Sequence, residues 1–92
     1  MDFECVHMVV RGVVQGVGFR FFVVHAARRL DVAGWVRNAP DGSVEITAEG
    51  GRGSLRDFVA DIQRGSVGAT VRDVVVSRLP YQGTFKTFEV RY

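Results

Sequence analysis

Between residues 3 and 11 apolar and polar positions alternate: Val6, Met8 and Val10 fall on one side, His7, Val9 and Arg11 on the other. A period of two with β-branched residues prevailing predicts a strand. Gly12-Val-Val-Gln-Gly-Val-Gly18 interrupts it with three glycines. The spacing then lengthens to three and four, so that Phe19, Val23, Ala26, Ala27 and Leu30 share one helical face. Arg28 and Arg29 follow in its last turns, where cations complement the helix dipole. Residues 33–38 read as a short strand and residues 43–49 as another, joined by Asn38-Ala-Pro-Asp-Gly42. In that turn Pro presets φ and Gly takes the left-handed position. Val44, Ile46 and Ala48 are expected inward; Glu45, Thr47 and Glu49 are expected outward on a solvated face. Leu55, Phe58, Val59 and Ile62 predict a second helix, with Ser54 and Asp57 spaced as a capping box and Gly65 as its C-cap. Residues 71–79 and 85–92 are two further strand-like runs, separated by Pro80-Tyr-Gln-Gly83.

The order strand, helix, strand, strand, helix, strand is the split βαβ pattern of ferredoxin-like folds, here with an extra C-terminal strand. The expected class is α+β: a ferredoxin-like βαββαβ sandwich, one mostly antiparallel sheet with two helices on one face. The chain of 92 residues leaves room for one domain, 1–92. In this topology a helix joins the first two strands, so they run parallel and end on the same edge of the sheet. The glycine loop leaves the first strand at that edge, and Asn38 ends the second strand there. Asn38 shares parity with Val36, so its amide should face the side on which the first helix begins. Loop and asparagine should converge.

Composition changes this picture little. Apolar residues are 47% and charged residues 24% of the chain, as in ordinary globular domains. A net charge of +2 is too small to imply nucleic-acid binding by itself. The single cysteine, Cys5, excludes an internal disulfide, which suits a reducing compartment. No signal sequence or apolar run of membrane-spanning length is present, so the default expectation is a cytoplasmic protein without membrane contact.

Candidate chemistry sits in Gln15-Gly-Val-Gly-Phe-Arg20. Glycines there permit unusual dihedrals and let several N–H groups point into one concavity. The loop opens into a helix whose first N–H groups have no intrahelical partner. Arg20, in the first helical turn, can give a forked pair of hydrogen bonds to a phosphoryl group. Together these describe a dianion site that requires neither metal nor lysine. The plainer alternative is a tight strand–helix connection with a solvated Arg20. Against it, a cation at a helix N-terminus is unfavourable by roughly 0.3–1 kcal/mol unless an anion lies between them.

Two long segments then become recognisable. Val9-Val-Arg-Gly-Val-Val-Gln-Gly-Val-Gly-Phe-Arg-Phe-Phe22 and Gly34-Trp-Val-Arg-Asn-Ala-Pro-Asp-Gly-Ser-Val-Glu45 resemble the signature segments of the acylphosphatase family. Phe85-Lys-Thr-Phe-Glu-Val-Arg-Tyr92 resembles that family's last strand. The resemblance covers essentially the whole chain and implies the ferredoxin-like fold read above. It implies an enzyme that hydrolyses the carboxyl–phosphate anhydride of a small acyl phosphate. Arg20 and the backbone N–H groups of Gln15, Gly16, Val17, Gly18, Phe19 and Arg20 would bind the phosphoryl group, and Asn38 would hold the attacking water. No cofactor and no metal are implied; inorganic phosphate would be both product and competitive inhibitor. One departure is Val23, where many relatives carry a polar residue, so side-chain support of the loop is not implied from that position.

Other chemistries fit less well. Cys5 and Arg11 match the C-x5-R spacing of cysteine-dependent phosphatases, but an extended strand separates their Cα atoms by roughly 20 Å at about 3.3 Å per residue. No Walker lysine follows the glycines. His7 is expected on the outer face of the sheet and His25 on the polar side of the helix, neither with ligands at metal spacing. Trp35 is expected to pack against the sheet. An RNA-recognition module would carry aromatics on its third strand, and residues 43–49 have none. Acylphosphatase-like domains also open the carbamoyl-transferring hydrogenase maturation proteins; this chain starts with methionine and ends where the family ends, so a free-standing enzyme is expected, with a monomer as the expected state.

Overall fold

The alternating first segment forms β1 (Phe3–Val13), an interior strand of a five-stranded sheet in the computed structural model, which describes residues 2–92. The chain continues through α1 (Phe19–Arg29), β2 (Ala33–Asn38), β3 (Val44–Gly51), α2 (Arg52–Arg64), β4 (Thr70–Leu79) and β5 (Phe88–Arg91). The sheet order is β4-β1-β3-β2-β5. β1 and β2 both pair antiparallel with β3, and therefore run parallel to each other with β3 between them. β5 joins β2 in parallel, so the sheet is mixed. The ferredoxin-like α+β expectation holds, including the extra strand.

Register shows why the alternation is so regular. Val76, Met8, Ile46, Val36 and Val90 form one row across all five strands. α1 and α2 cover this face: Phe19, Val23 and Ala27 from α1 and Leu55, Phe58 and Ile62 from α2 join the row's central residues in the core. Phe58 and Phe88 meet edge to face at 5.8 Å between ring centroids. Removing such large side chains from water is the main favourable term in folding, at about 25 cal/mol per Å² of apolar surface. Val23, the unusual position of α1, is fully buried and serves this core.

Several boundaries and surfaces differ from expectation. β1 runs on to Val13, past the predicted end at residue 11, by way of a bulge at Arg11/Gly12. Gly12 has φ +137°, and a Cβ there would lie 2.0 Å from Thr70 O, so the glycine is needed inside the strand. α2 starts at Arg52, not at a Ser54–Asp57 capping box; Gly51 precedes it and no side chain caps it. Instead the Arg52 N–H donates to Asp2 O at 2.9 Å, a contact 50 positions away that no local pattern reveals. Gly65 does cap its far end. β5 is shorter than residues 85–92, because residues 80–87 must first cross the sheet from the β4 edge to the β5 edge.

That crossing corrects the expected solvated outer face. Glu49 is only 4% exposed and accepts hydrogen bonds from the N–H groups of Gln82 (3.0 Å) and Gly83 (3.3 Å). It thereby anchors the crossing segment, and Tyr81 stacks on Phe3 at 5.5 Å. Cys5 is buried on the same face, and burial, with Glu49 nearby, pushes its thiol pKa up. A thiolate nucleophile is disfavoured there. Glu45 is half-buried and bridges three strands, accepting from His7 at 2.6 Å and from Arg37 at 2.5 Å. Trp35 lies on the sheet's outer face under the Arg91 guanidinium, 5.1 Å from the ring centroid.

The hydrogen bond from His7, with Arg37 adding to it and burial opposing, holds the Glu45 carboxyl below its ordinary pKa. A depressed folded-state pKa contributes stability that is present above the unfolded value, about 4.3, and lost as pH falls through the lower folded value. The melting temperature of the wild type should therefore exceed that of Glu45→Gln at about pH 6, and the gap should narrow progressively as pH falls below the ordinary glutamate value of about 4.3. Thermal melts of both proteins across that range check this.

Candidate active site

Beyond Val13 the chain leaves the sheet edge through Val14, which is buried, and turns into α1 over residues 15–18. Gly16 (φ +74°) and Gly18 (φ +78°) are left-handed, while Val17 between them is not. Alternating handedness turns successive N–H groups toward one point, the geometry of an anion nest. An added Cβ at either glycine would meet nothing within 4 Å, so dihedral freedom is what these positions require.

α1 begins without a side-chain cap and with no acidic residue in its first turn. Its first backbone bond runs from Phe22 N–H to Gly18 O at 3.1 Å. Among the described residues, the N–H groups from Gln15 to Phe21 make no backbone hydrogen bond. Helix N-termini leave such donors to caps, water or ligands. Here Gly16 and residues 18–21 of that run line a hollow of about 80 Å³, together with Val14. Liquid water occupies ~30 Å³ per molecule, so the hollow has the size of a few waters or one tetrahedral oxyanion.

Arg20 has no carboxylate partner among the described residues. Its guanidinium lies 5.2 Å from the centroid of the Tyr92 ring, a contact that orients the group without neutralising it. Sequence patterns could not reveal this pairing across 72 positions. Of the expected cradle, Gly16, Gly18, Phe19 and Arg20 line the hollow. Gln15 and Val17 do not line it; Val17 packs its side chain against the core.

Asn38 ends β2 opposite Val44, on the helix-covered face, as its parity with Val36 predicts. Asn38 does not line the hollow itself, but its Oδ1 is buried and has no hydrogen-bond partner. A buried, unpaired amide oxygen costs about 1–3 kcal/mol and is kept where it has a further use. The turn after Asn38 is closed by Ala39 N–H to Ser43 O (2.8 Å) and Gly42 N–H to Ala39 O (3.2 Å). Gln15 joins this turn to the loop: its Nε2 donates to Ala39 O and to Ser43 O, both at 2.8 Å. The loop and the end of β2 are thus tied together at one edge of the sheet.

Two other clefts lack this combination. One of about 530 Å³ between α2 and β4 is lined by apolar side chains such as Leu55, Val59 and Val76, with Arg56 at hand. Another, of about 320 Å³, flanks the 39–43 turn and holds Arg11 and Arg72, both exposed, with Asp41. Asp41 is engaged with Ser43, whose N–H (3.0 Å) and hydroxyl (2.6 Å) it accepts; these bonds lower its pKa.

Comparison with known proteins gives the family. Residues 6–90 match the acylphosphatase family model. The chain is 44% identical over 86 residues to an acylphosphatase of Bacillus velezensis, spanning 94% of this chain and 96% of that protein. It superposes on the crystal structure of acylphosphatase from Bacillus subtilis with a TM-score of 0.93 and 39% identity, covering 97% and 99% of the two chains. It also resembles a portion of full-length HypF in its phosphate- and nucleotide-bound form. There the TM-score is 0.89 at 25% identity, covering 99% of this chain but 12% of that one. A left-handed glycine nest at an uncapped helix, an unpaired arginine beside it and a family match over nearly the whole sequence lead to one conclusion: the chain belongs to the acylphosphatase family.

Proposed function

We propose that this protein, as one domain over residues 1–92, hydrolyses small acyl phosphates to a carboxylate and inorganic phosphate. The observation that carries this reading is the run of unbonded N–H groups from Gln15 to Phe21, with Arg20 charged beside it and Asn38 tied to the same edge. Backbone donors and the Arg20 guanidinium bind the phosphoryl oxygens and stabilise the charge that builds on them in the transition state. The side-chain amide of Asn38 holds a water and aims that water's oxygen at phosphorus. As the new P–O bond forms, the P–O bond to the acyl group breaks and its electron pair leaves with the carboxylate. The proton released by the water passes to a phosphoryl oxygen. A carboxylate leaves readily, so no protein acid is required, and an amide has no useful basicity. Positioning and charge stabilisation supply the rate.

Buried Cys5, a reduced thiol, is in keeping with a cytoplasmic enzyme; no described helix is long and apolar enough to cross a membrane. The proposed partners are the acyl phosphate and inorganic phosphate alone, with the protein acting as a monomer.

Arg20→Ala should reduce benzoyl phosphate hydrolysis by at least ~10³-fold and weaken inhibition by inorganic phosphate with it. Asn38→Ala should lower kcat by ~10²-fold or more while the phosphate inhibition constant stays within about 3-fold. Loss of phosphate affinity with surviving turnover would contradict the water-positioning role. Because no side chain of intermediate pKa moves a proton, kcat should vary little between about pH 5 and 8. A bell centred on a histidine-like pKa in the pH–rate profile would exclude this mechanism.

A further inference from the structure

Gln15 does not line the hollow, but its carboxamide has partners of its own. Both of its neighbours, Ala39 O and Ser43 O, are acceptors, so the nitrogen must face them and spends both its hydrogens on them. Each carbonyl also takes one turn bond, from Gly42 N–H and Ala39 N–H respectively, so each oxygen serves two donors. Among the described residues this amide makes the only hydrogen bonds from residues 14–18 to the β2–β3 turn. Asn38 immediately precedes one of the two bonded carbonyls.

We infer that Gln15 is a positioning residue: its side chain locks the phosphate loop to the turn that carries Asn38 and so sets the distance from the held water to phosphorus. The phosphate is held by the loop and the water by β2, two elements from different parts of the chain. In-line attack needs their relative placement kept to a fraction of an ångström, and a misplacement of 1 Å costs about 10² in rate. Without the clamp both half-sites persist, but their spacing is no longer fixed. A glutamate would present an oxygen to two carbonyl oxygens and push the elements apart.

The inference rests on Asn38 holding the attacking water, and the test separates the two ideas. Gln15→Met, Asn38→Ala and the double variant are compared for kcat on benzoyl phosphate, inhibition by inorganic phosphate and melting temperature. Gln15→Met, which keeps the stem and removes the donors, should lower kcat about 10- to 100-fold with phosphate inhibition within about 3-fold of wild type. Added to Asn38→Ala it should lower kcat by no more than about 2-fold further, since both act on one water. Unchanged kcat in Gln15→Met, phosphate affinity falling in step with kcat, or fully multiplicative losses in the double variant would each overturn the inference. If Asn38→Ala itself retains turnover, the water-holding reading fails whatever Gln15 does. If Gln15→Met does not fold, Gln15→Asn decides, because it keeps the donors on a shorter stem. Lost turnover with retained phosphate inhibition supports the clamp, and joint loss of both overturns it.

Discussion

The site depends on backbone N–H groups that the fold leaves without acceptors. Donors at the start of a helix have no intrahelical partner and are left to water or a ligand, so a contiguous run of them is open to an anion. Gly16 and Gly18 set the dihedrals that turn these donors one way, and the uncapped start of α1 adds its dipole. Arg20 raises the positive potential further and, lacking a carboxylate partner, leaves that charge for a ligand. Such a site disfavours the empty protein and rewards a dianion, the condition under which binding energy can be directed at a phosphoryl group in transition.

The remainder of the fold holds this loop against Asn38. β3 lies between β1 and β2 and makes them parallel, so a loop leaving one and a side chain ending the other reach the same edge. The rows of valine, methionine and isoleucine fix that register, because a slip of one residue would turn the whole apolar face to water. On the opposite face Glu49 holds the crossing segment and Glu45 ties β1, β3 and β2 through His7 and Arg37. Asp61 of α2 receives Arg29 of α1 as well as its own Arg64, linking the two helices.

Much of this was legible in the sequence for a physical reason. The strand rows show as alternation, and the proposed anion cradle was read from contiguous residues, Gln15 to Arg20, four of which (Gly16, Gly18, Phe19 and Arg20) line the hollow. Asn38 could be placed because parity with Val36 and the parallel course of β1 and β2 suffice to locate it. What stayed hidden depends on contacts between distant residues. Glu49 alternates like any exposed strand acid, and only the path of residues 80–87 buries it. Asp2 caps α2 from the far end of the chain, which is why the Ser54–Asp57 pattern misleads. Arg20 meets Tyr92 through the tertiary fold. The partners of Gln15 are main-chain carbonyls, which side-chain patterns do not register.

The central claim is that an oxyanion binds the backbone N–H groups of residues 15–21. Titrating isotopically labelled protein with inorganic phosphate and following the amide resonances tests it most directly. The account predicts that the largest downfield N–H shifts fall on Gln15 to Phe21, with the Arg20 side chain responding alongside. Saturable shifts centred on Arg11, Gly12 and Arg72 instead, or none across residues 15–21 at phosphate concentrations that inhibit hydrolysis, would contradict it.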